Sequence, residues 1–327
     1  MKLNFSNIRD FKIMYITTSI GVVANIEGVN TDIISKGDPL PYIRFVPMHI
    51  YNILISRYGG LNHFRYKSDI HCNLIINELI YNNINTKNVL DTDAVMLGIK
   101  KIIKSNSCTI TGLSFDIYTM KVLTKEGQNA TYYSLIFLAV PFALKINDKK
   151  ILIKQIDKFI RIFTKDHEHI LATITCGLFI HYAQNDININ KWIEHVLKDL
   201  KGLEDLKELE GIMEYADYLN NYDELNFRNN KFVNKKKEDI VSERNNNFFN
   251  NFCSIKNSFF TQNPYEQVLL ILDSLLRAED NWEKLVLFGI TNFNDNISIS
   301  LILGILYEIL FSTSKVNKNL IKRFSFN

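Results

Sequence analysis

The chain predicts an all-α protein, and three observations carry that prediction. Apolar residues return at three- and four-residue intervals over most of its length; only 5 prolines and 13 glycines interrupt 327 residues; and alternating, strand-like runs are scarce. With 46% hydrophobic and 22% charged residues, the composition can bury one large core or two small ones and is not that of a disordered chain. Richness in Asn, Ile, Lys and Tyr runs on without a shift, so one domain over residues 1–327 is expected, arranged as a compact orthogonal helical array.

In chain order, helices are expected over about residues 46–58, 69–82, 93–104, 131–145, 149–163, 168–184, 191–200, 203–220, 264–277, 281–290 and 295–313. Gly59 and Gly60 close the first, and Ser68 opens the second. Asp91-Thr92-Asp93, after Asn88-Val89-Leu90, reads as the cap of the third. His167 and His169, with Asp166 and Glu168, stand where the 168–184 helix begins; alternate spacing does not put two imidazoles on one helical face, so they read as a solvated entrance, not a metal site. The clearest helix is 264–277, where Pro264 suits the first turn and Val268, Leu269, Ile271, Leu272, Leu275 and Leu276 recur with helical spacing. Most tyrosines and phenylalanines fall at such spacings and belong to the core. Ser107 to Thr111 is short enough to be extended. Residues 224–250 form the one evident loop; its Lys235, Lys236 and Lys237 are followed at once by Glu238, Asp239 and Glu243, which reads as a solvated, mobile loop in preference to a nucleic-acid arm.

Charge excludes little: 38 basic and 35 acidic side chains leave +3, which marks neither a nucleic-acid nor a membrane-surface protein. Cys72, Cys108, Cys176 and Cys253 form no C-x-x-C pair and no disulfide framework, so a reducing, cytoplasmic home is expected. Arg9 and Asp10 break the apolar run that a signal peptide needs, no stretch is long enough for a membrane span, and the N-x-[ST] triplets at Asn4, Asn129 and Asn296 therefore carry little weight.

Two stretches carry a family resemblance. Residues 58–80, YGGLNHFRYKSDIHCNLIINELI, give a Gly-Gly-Leu turn, a short link and Ser-Asp opening a helix. Residues 273–310, DSLLRAEDNWEKLVLFGITNFNDNISISLILGILYEIL, place Asp273, Asp280, Trp282, Leu285, Asp295, Ser298, Gly304 and Tyr307 in matching order without a gap. Together they resemble the ADP-ribosylglycohydrolase family, nearest its ADP-ribosylarginine hydrolase branch, with weaker likeness in IGVVANIEG and at 163–183, so that the resemblance spans about residues 10–315.

The resemblance implies the family's all-α fold and, at the two helix starts, a pair of Mg²⁺ ions under ADP-ribose. Mg²⁺ is a hard ion held by carboxylates and waters in octahedral geometry. Here the first cluster reads Ser68-Asp69-Ile70-His71, and the second Asp295-Asn296-Ile297-Ser298, so each has isoleucine where the family has a carboxylate. Asp69 and Asp295 remain as candidate metal ligands, although each also suits a helix cap. His71 beside the first cluster reads as a spectator, since no acid-base partner is visible. The family's Gly-Asp-x-x-Gly turn corresponds to Gly21-Val22-Val23-Ala24-Asn25, without the acid. Its Gly-rich turn before Ala-Ala-Met-Arg corresponds to 127–134, which loses the Arg and brings in Tyr132 and Tyr133; its later glycine-rich loop corresponds to 257–264, with Phe259 and Phe260. These four aromatics are candidate pocket fillers or contact anchors.

The expectation is a pseudoenzyme without intact catalytic residues: a helical scaffold that binds a protein or a larger assembly, with residual affinity for ADP-ribose or a nucleotide left open. No cofactor is expected, and Mg²⁺ only if activity survives. Two alternatives stand beside it. One is an active ADP-ribosyl(arginine) hydrolase with a metal-poor site built on Asp69 and Asp295, or on His71. The other is a ribonucleoprotein-binding module acting through Lys235, Lys236, Lys237 and Arg244, whose binding would fall steeply with salt.

Overall fold

The computed structural model describes residues 8–29, 46–64, 72–105, 135–201, 212–224, 248, 251–252, 263–291 and 296–323. Among them are thirteen α-helices and no strand; the nearest approach to a sheet is one antiparallel bridge between Ile84 and Leu90. The protein is all-α. The helices are α1 (Lys12–Val29), α2 (Val46–Tyr58), α3 (Cys72–Asn82), α4 (Thr92–Ser105), α5 (Ala139–Lys145), α6 (Lys149–Ile160), α7 (His167–Gln184), α8 (Trp192–Lys201), α9 (Ile212–Glu224), α10 (Pro264–Ala278), α11 (Trp282–Leu285), α12 (Asn296–Phe311) and α13 (Lys318–Arg323). They group into two compact units, Met1–Phe11 with Ser68–Asn220 and Lys12–Lys67 with Asn221–Asn327, a division that the even composition does not announce. Nearly all of the 224–250 segment, and 107–111, lie outside the described residues. No helix among the described residues is long and apolar enough to cross a membrane.

In the first unit, α5 and α6 both pack on α7, which is buried almost throughout from His169 to Ala183. Phe142, Phe159 and Phe163 form a ladder at this joint, with ring centroids 5.5 and 5.2 Å apart. The helix starts are satisfied locally: Asp148 accepts from the Ile151 amide at 2.9 Å, and Asp166 from that of Glu168 at 2.9 Å. Asp91 likewise accepts from the Ala94 amide at 3.0 Å, the capping role expected of it. At the far end of α7, the Tyr182 hydroxyl and Lys149 Nζ both donate to Asp199, each at 2.6 Å. Burial and this acceptor push the Tyr182 hydroxyl well above the ordinary phenol range. The entrance to α7 corrects the sequence reading in one respect: His167 is half-buried, but His169 is buried in the core, because the third residue of this helix faces inward.

In the second unit, α1 and α12 lie against each other along their length and form the centre of the core. Both are apolar on almost every face, which suits helices buried on all sides. α10 begins with a reciprocal cap: Asn263 accepts from the Tyr265 amide at 2.7 Å, Glu266 reaches back to the Asn263 amide, and Pro264 occupies the first turn. The expected 281–290 helix is α only over Trp282–Leu285 and continues as a π-turn over Val286–Ile290. Other boundaries move as well: within its described residues the expected 131–145 helix is a 3₁₀ turn over Ile136–Leu138 and α only from Ala139. α6 ends at Ile160, three residues early, and α9 runs on to Glu224.

Candidate functional site

Of the residues to which the resemblance gives chemistry, the second unit describes Gly21 to Ala24, Ile297 and Ser298. Ser68, Asp69, Ile70, His71, Tyr132, Tyr133, Phe259, Phe260 and Asp295 lie outside the described residues. The resemblance sets Gly21 to Asn25 against the family's turn. Here these residues are part of α1, with Val22, Val23 and Ala24 fully buried, because their apolar side chains pack into the core as helix. Ile297 and Ser298 are the second and third residues of α12 and are equally buried.

The α1–α12 joint is closed by direct contact. At Gly304 a Cβ would stand 2.1 Å from Thr17 Oγ1, 2.7 Å from Met14 Cα and 3.1 Å from the Ile13 carbonyl, so only glycine lets α1 approach this closely. The hydroxyls beside the crossing turn back on their own helices. Thr17 donates to the Ile13 and Met14 carbonyls at 2.8 and 2.9 Å, Thr18 to Met14 at 2.7 Å, and Ser300 to Ile297 at 3.0 Å.

A carboxylate that the sequence reading did not single out reaches this joint. Glu308, 1% exposed near the end of α12, accepts from the backbone amides of Lys12 and Ile13 at 3.2 and 2.8 Å. It caps the first turn of α1 from almost three hundred residues away, satisfying donors that the helix cannot satisfy itself. Burial raises its carboxyl to about 7, against the opposing pull of those amides and of Lys12. A lone acid in the apolar run ILYEILF is the only signal that marks it.

Several residues that carry the resemblance meet in space. The Tyr307 hydroxyl donates to the Asp280 carbonyl at 2.6 Å, and Trp282 meets the Tyr307 ring edge-on at 5.6 Å. Burial raises the Tyr307 hydroxyl to about 12. Asp280 turns its side chain outward to Lys315 at 2.6 Å, which holds its carboxyl below the ordinary range. Asp273 is fully buried and bonded to Arg277 Nε at 2.8 Å. Tyr51 donates its hydroxyl to Glu283. The polar side chains of Tyr307, Asp280, Asp273 and Tyr51 are thus committed to neighbours in the fold, whereas the buried Trp282 Nε1 has no hydrogen-bond partner among the described residues.

Among the described residues, no three His, Cys, Asp or Glu side chains come together to hold a metal ion. Of the second cluster the described residues are Ile297, whose side chain is hydrocarbon, and Ser298, which offers a single neutral oxygen; an octahedral Mg²⁺ needs more hard ligands than these two supply. Comparison of the chain with protein-family models finds no match, and comparison with curated proteins finds none either.

Proposed function

We propose that the protein is an ADP-ribosylglycohydrolase-like pseudoenzyme, a helical scaffold that binds a protein or a larger assembly and does not hydrolyse ADP-ribosyl bonds. One observation carries the reading: Ile297 and Val22, at positions the resemblance assigns to carboxylates, are fully buried in the α1–α12 core. Replacing buried like charges with packed hydrocarbon removes a desolvation penalty of several kcal/mol per ion, about enough to let such a frame persist without the chemistry. The hydroxyls of Thr17, Thr18 and Ser300, bonded within their own helices, support the same reading.

The test is release of ADP-ribose from ADP-ribosylated arginine in the presence of Mg²⁺, read beside a known hydrolase. No release above the uncatalysed rate is expected. Mg²⁺-dependent turnover that Asp69→Asn or Asp295→Asn abolishes, with the melting curve unchanged, overturns the proposal in favour of a metal-poor hydrolase. Steeply salt-dependent RNA binding lost on replacing Lys235, Lys236 and Lys237 overturns it in favour of a ribonucleoprotein module.

A further inference from the structure

The outer face of α6 has two edges of different chemistry. Leu152, Ile153, Ile156, Phe159 and Ile160 point into the core of the first unit. On the outside, Lys150, Lys154 and Lys158 follow one another at four-residue spacing, all exposed, and Arg161 and Lys165 continue the row past the end of the helix. Beside that row run Ile151, Gln155, Lys158 and Ile162, spaced four, three and four, the interval of a helix–helix seam. Ile151 and Ile162 are 37% and 39% exposed.

A third aliphatic residue is brought to the same edge. The Leu90 amide donates to Gln155 Oε1 at 3.4 Å, which sets the turn before α4 against α6 and presents Val89, 42% exposed. This turn is held firmly. The Lys87 and Val89 amides donate to Asn85 Oδ1 at 2.8 and 3.1 Å, the Asn85 amide to the Val89 carbonyl at 3.0 Å, and the Asp91 amide to the Asn83 carbonyl at 3.0 Å. Val89 is thus presented in one place, at little further cost in ordering when something binds.

The acids nearby leave part of the row without an acidic partner. Asp148 and Asp166 cap helices, and Asp157 is paired with Arg161 Nε at 2.9 Å. Among the described residues, Lys150, Lys158 and Lys165 have no acidic partner. A second copy of the chain would bring the same cations against themselves. Nucleic acid would find no aromatic ring on this face to stack on. A bilayer surface is better served by Trp, Phe or Leu than by half-exposed Ile and Val.

We propose that the outer face of α6, together with Val89, is the docking surface for an acidic amphipathic helix of another protein. Its apolar residues lie along Ile151, Val89 and Ile162, and its carboxylates face Lys150 and Lys158. Ile151 lies in the first turn of α6 and Ile162 just past its end at Ile160, so the contact runs most of the length of the helix and about three turns of the partner are engaged. The inference names a partner for the scaffold proposed above and rests on that reading only in taking binding to be the protein's role.

The test uses the full chain and a fluorescent helical peptide of about three heptads, with leucines at four- and three-residue spacing and glutamates beside them. Its isomer with lysines in place of glutamates, poly(U) and phosphatidylserine-containing vesicles are the rival probes. The glutamate peptide is expected to bind and the lysine peptide not. Ile151→Glu and the double variant Lys150→Glu/Lys158→Glu should each weaken binding about tenfold. Leu97→Glu, at an exposed site on α4, should leave it unchanged, with melting curves matching the parent throughout. Equal binding of the two peptides, no binding at about 1 mM, or equal effects of Ile151→Glu and Leu97→Glu would overturn the proposal. So would binding of poly(U) or vesicles that the double lysine variant abolishes while peptide binding is untouched. If Ile151→Glu fails to fold, the lysine pair alone decides. Since ADP-ribose release does not involve α6, failure here is distinct from failure of the pseudoenzyme reading.

Discussion

Gly304→Ala tests whether the α1–α12 joint is as tight as its geometry implies. The added methyl would meet Thr17 Oγ1 at 2.1 Å, which a rotamer change can relieve, but also Met14 Cα at 2.7 Å, which only movement of α1 can relieve. Overpacking of a closed core costs about 1–3 kcal/mol, and a backbone obstacle puts this site at the upper end. Alanine returns about 1 kcal/mol as the better helix former. The net destabilisation is therefore about 2 kcal/mol, or about 4–8 °C in melting temperature for a cooperative body of 150–250 residues. Gly98→Ala is the control, since its methyl would meet only the flexible end of the Leu79 side chain, at 2.6 Å. That variant should be neutral or slightly stabilised. Thermal unfolding followed by circular dichroism at 222 nm reads both. A Gly304→Ala protein as stable as the parent, or the two alanine variants shifting equally, would refute the reasoning, because the close approach of α1 would then not be real.

Glu308 gives a pH signature. Its carboxyl is raised to about 7 in the folded protein against an ordinary 4.5, so the folded state holds a proton that the unfolded chain has released between those values. This group's contribution is therefore greatest below pH 4.5, declines as pH rises towards 7 and is flat above, by about 3 kcal/mol at most. The melting-temperature difference between parent and Glu308→Gln should narrow or change sign in that direction across the window; a constant difference counts against the assignment. Asn263→Ala removes the cap of α10 and should cost about 1 kcal/mol in denaturant unfolding, with Asn263→Asp close to neutral.

Helices were legible where their ends are written locally. Pro264 marked the start of α10, whose Asn263–Glu266 capping box the structure adds; Gly59 and Gly60 at φ 85° and 73° marked the end of α2, and Asp91 marked the start of α4. α1 was not legible, because a helix buried on all sides has no polar face to set its period. The π-turn at Val286–Ile290 was hidden for a related reason: one extra residue in an apolar run leaves the sequence looking helical. Asp280, Trp282, Gly304 and Tyr307 stood out only as members of a motif, and their mutual contacts needed the three-dimensional arrangement. Glu308 was out of reach, since the amides it serves belong to Lys12 and Ile13.

The residues that carry the family resemblance in 273–310 divide by what they do. Tyr307, Trp282 and the Asp280 backbone pack and bond with one another, Asp273 binds Arg277, and Gly304 admits α1, so each has a structural role. Ile297 is different, because a carboxylate in its fully buried place would meet the hydrocarbon of α1 and α12 and would need an ion or a donor to stay charged. Glu308 shows what that requirement looks like when it is met: two backbone amides, a nearby lysine and still a carboxyl raised towards neutrality. Restoring an acid at 297 alone should therefore destabilise the fold, whereas a chain that had kept its divalent ions would be stabilised by it. On the proposed reading, Ile297→Asp lowers the melting temperature and added Mg²⁺ does not restore it. Recovery by Mg²⁺ would mean that a working metal site lies one substitution away and that the surrounding frame still fits the ion.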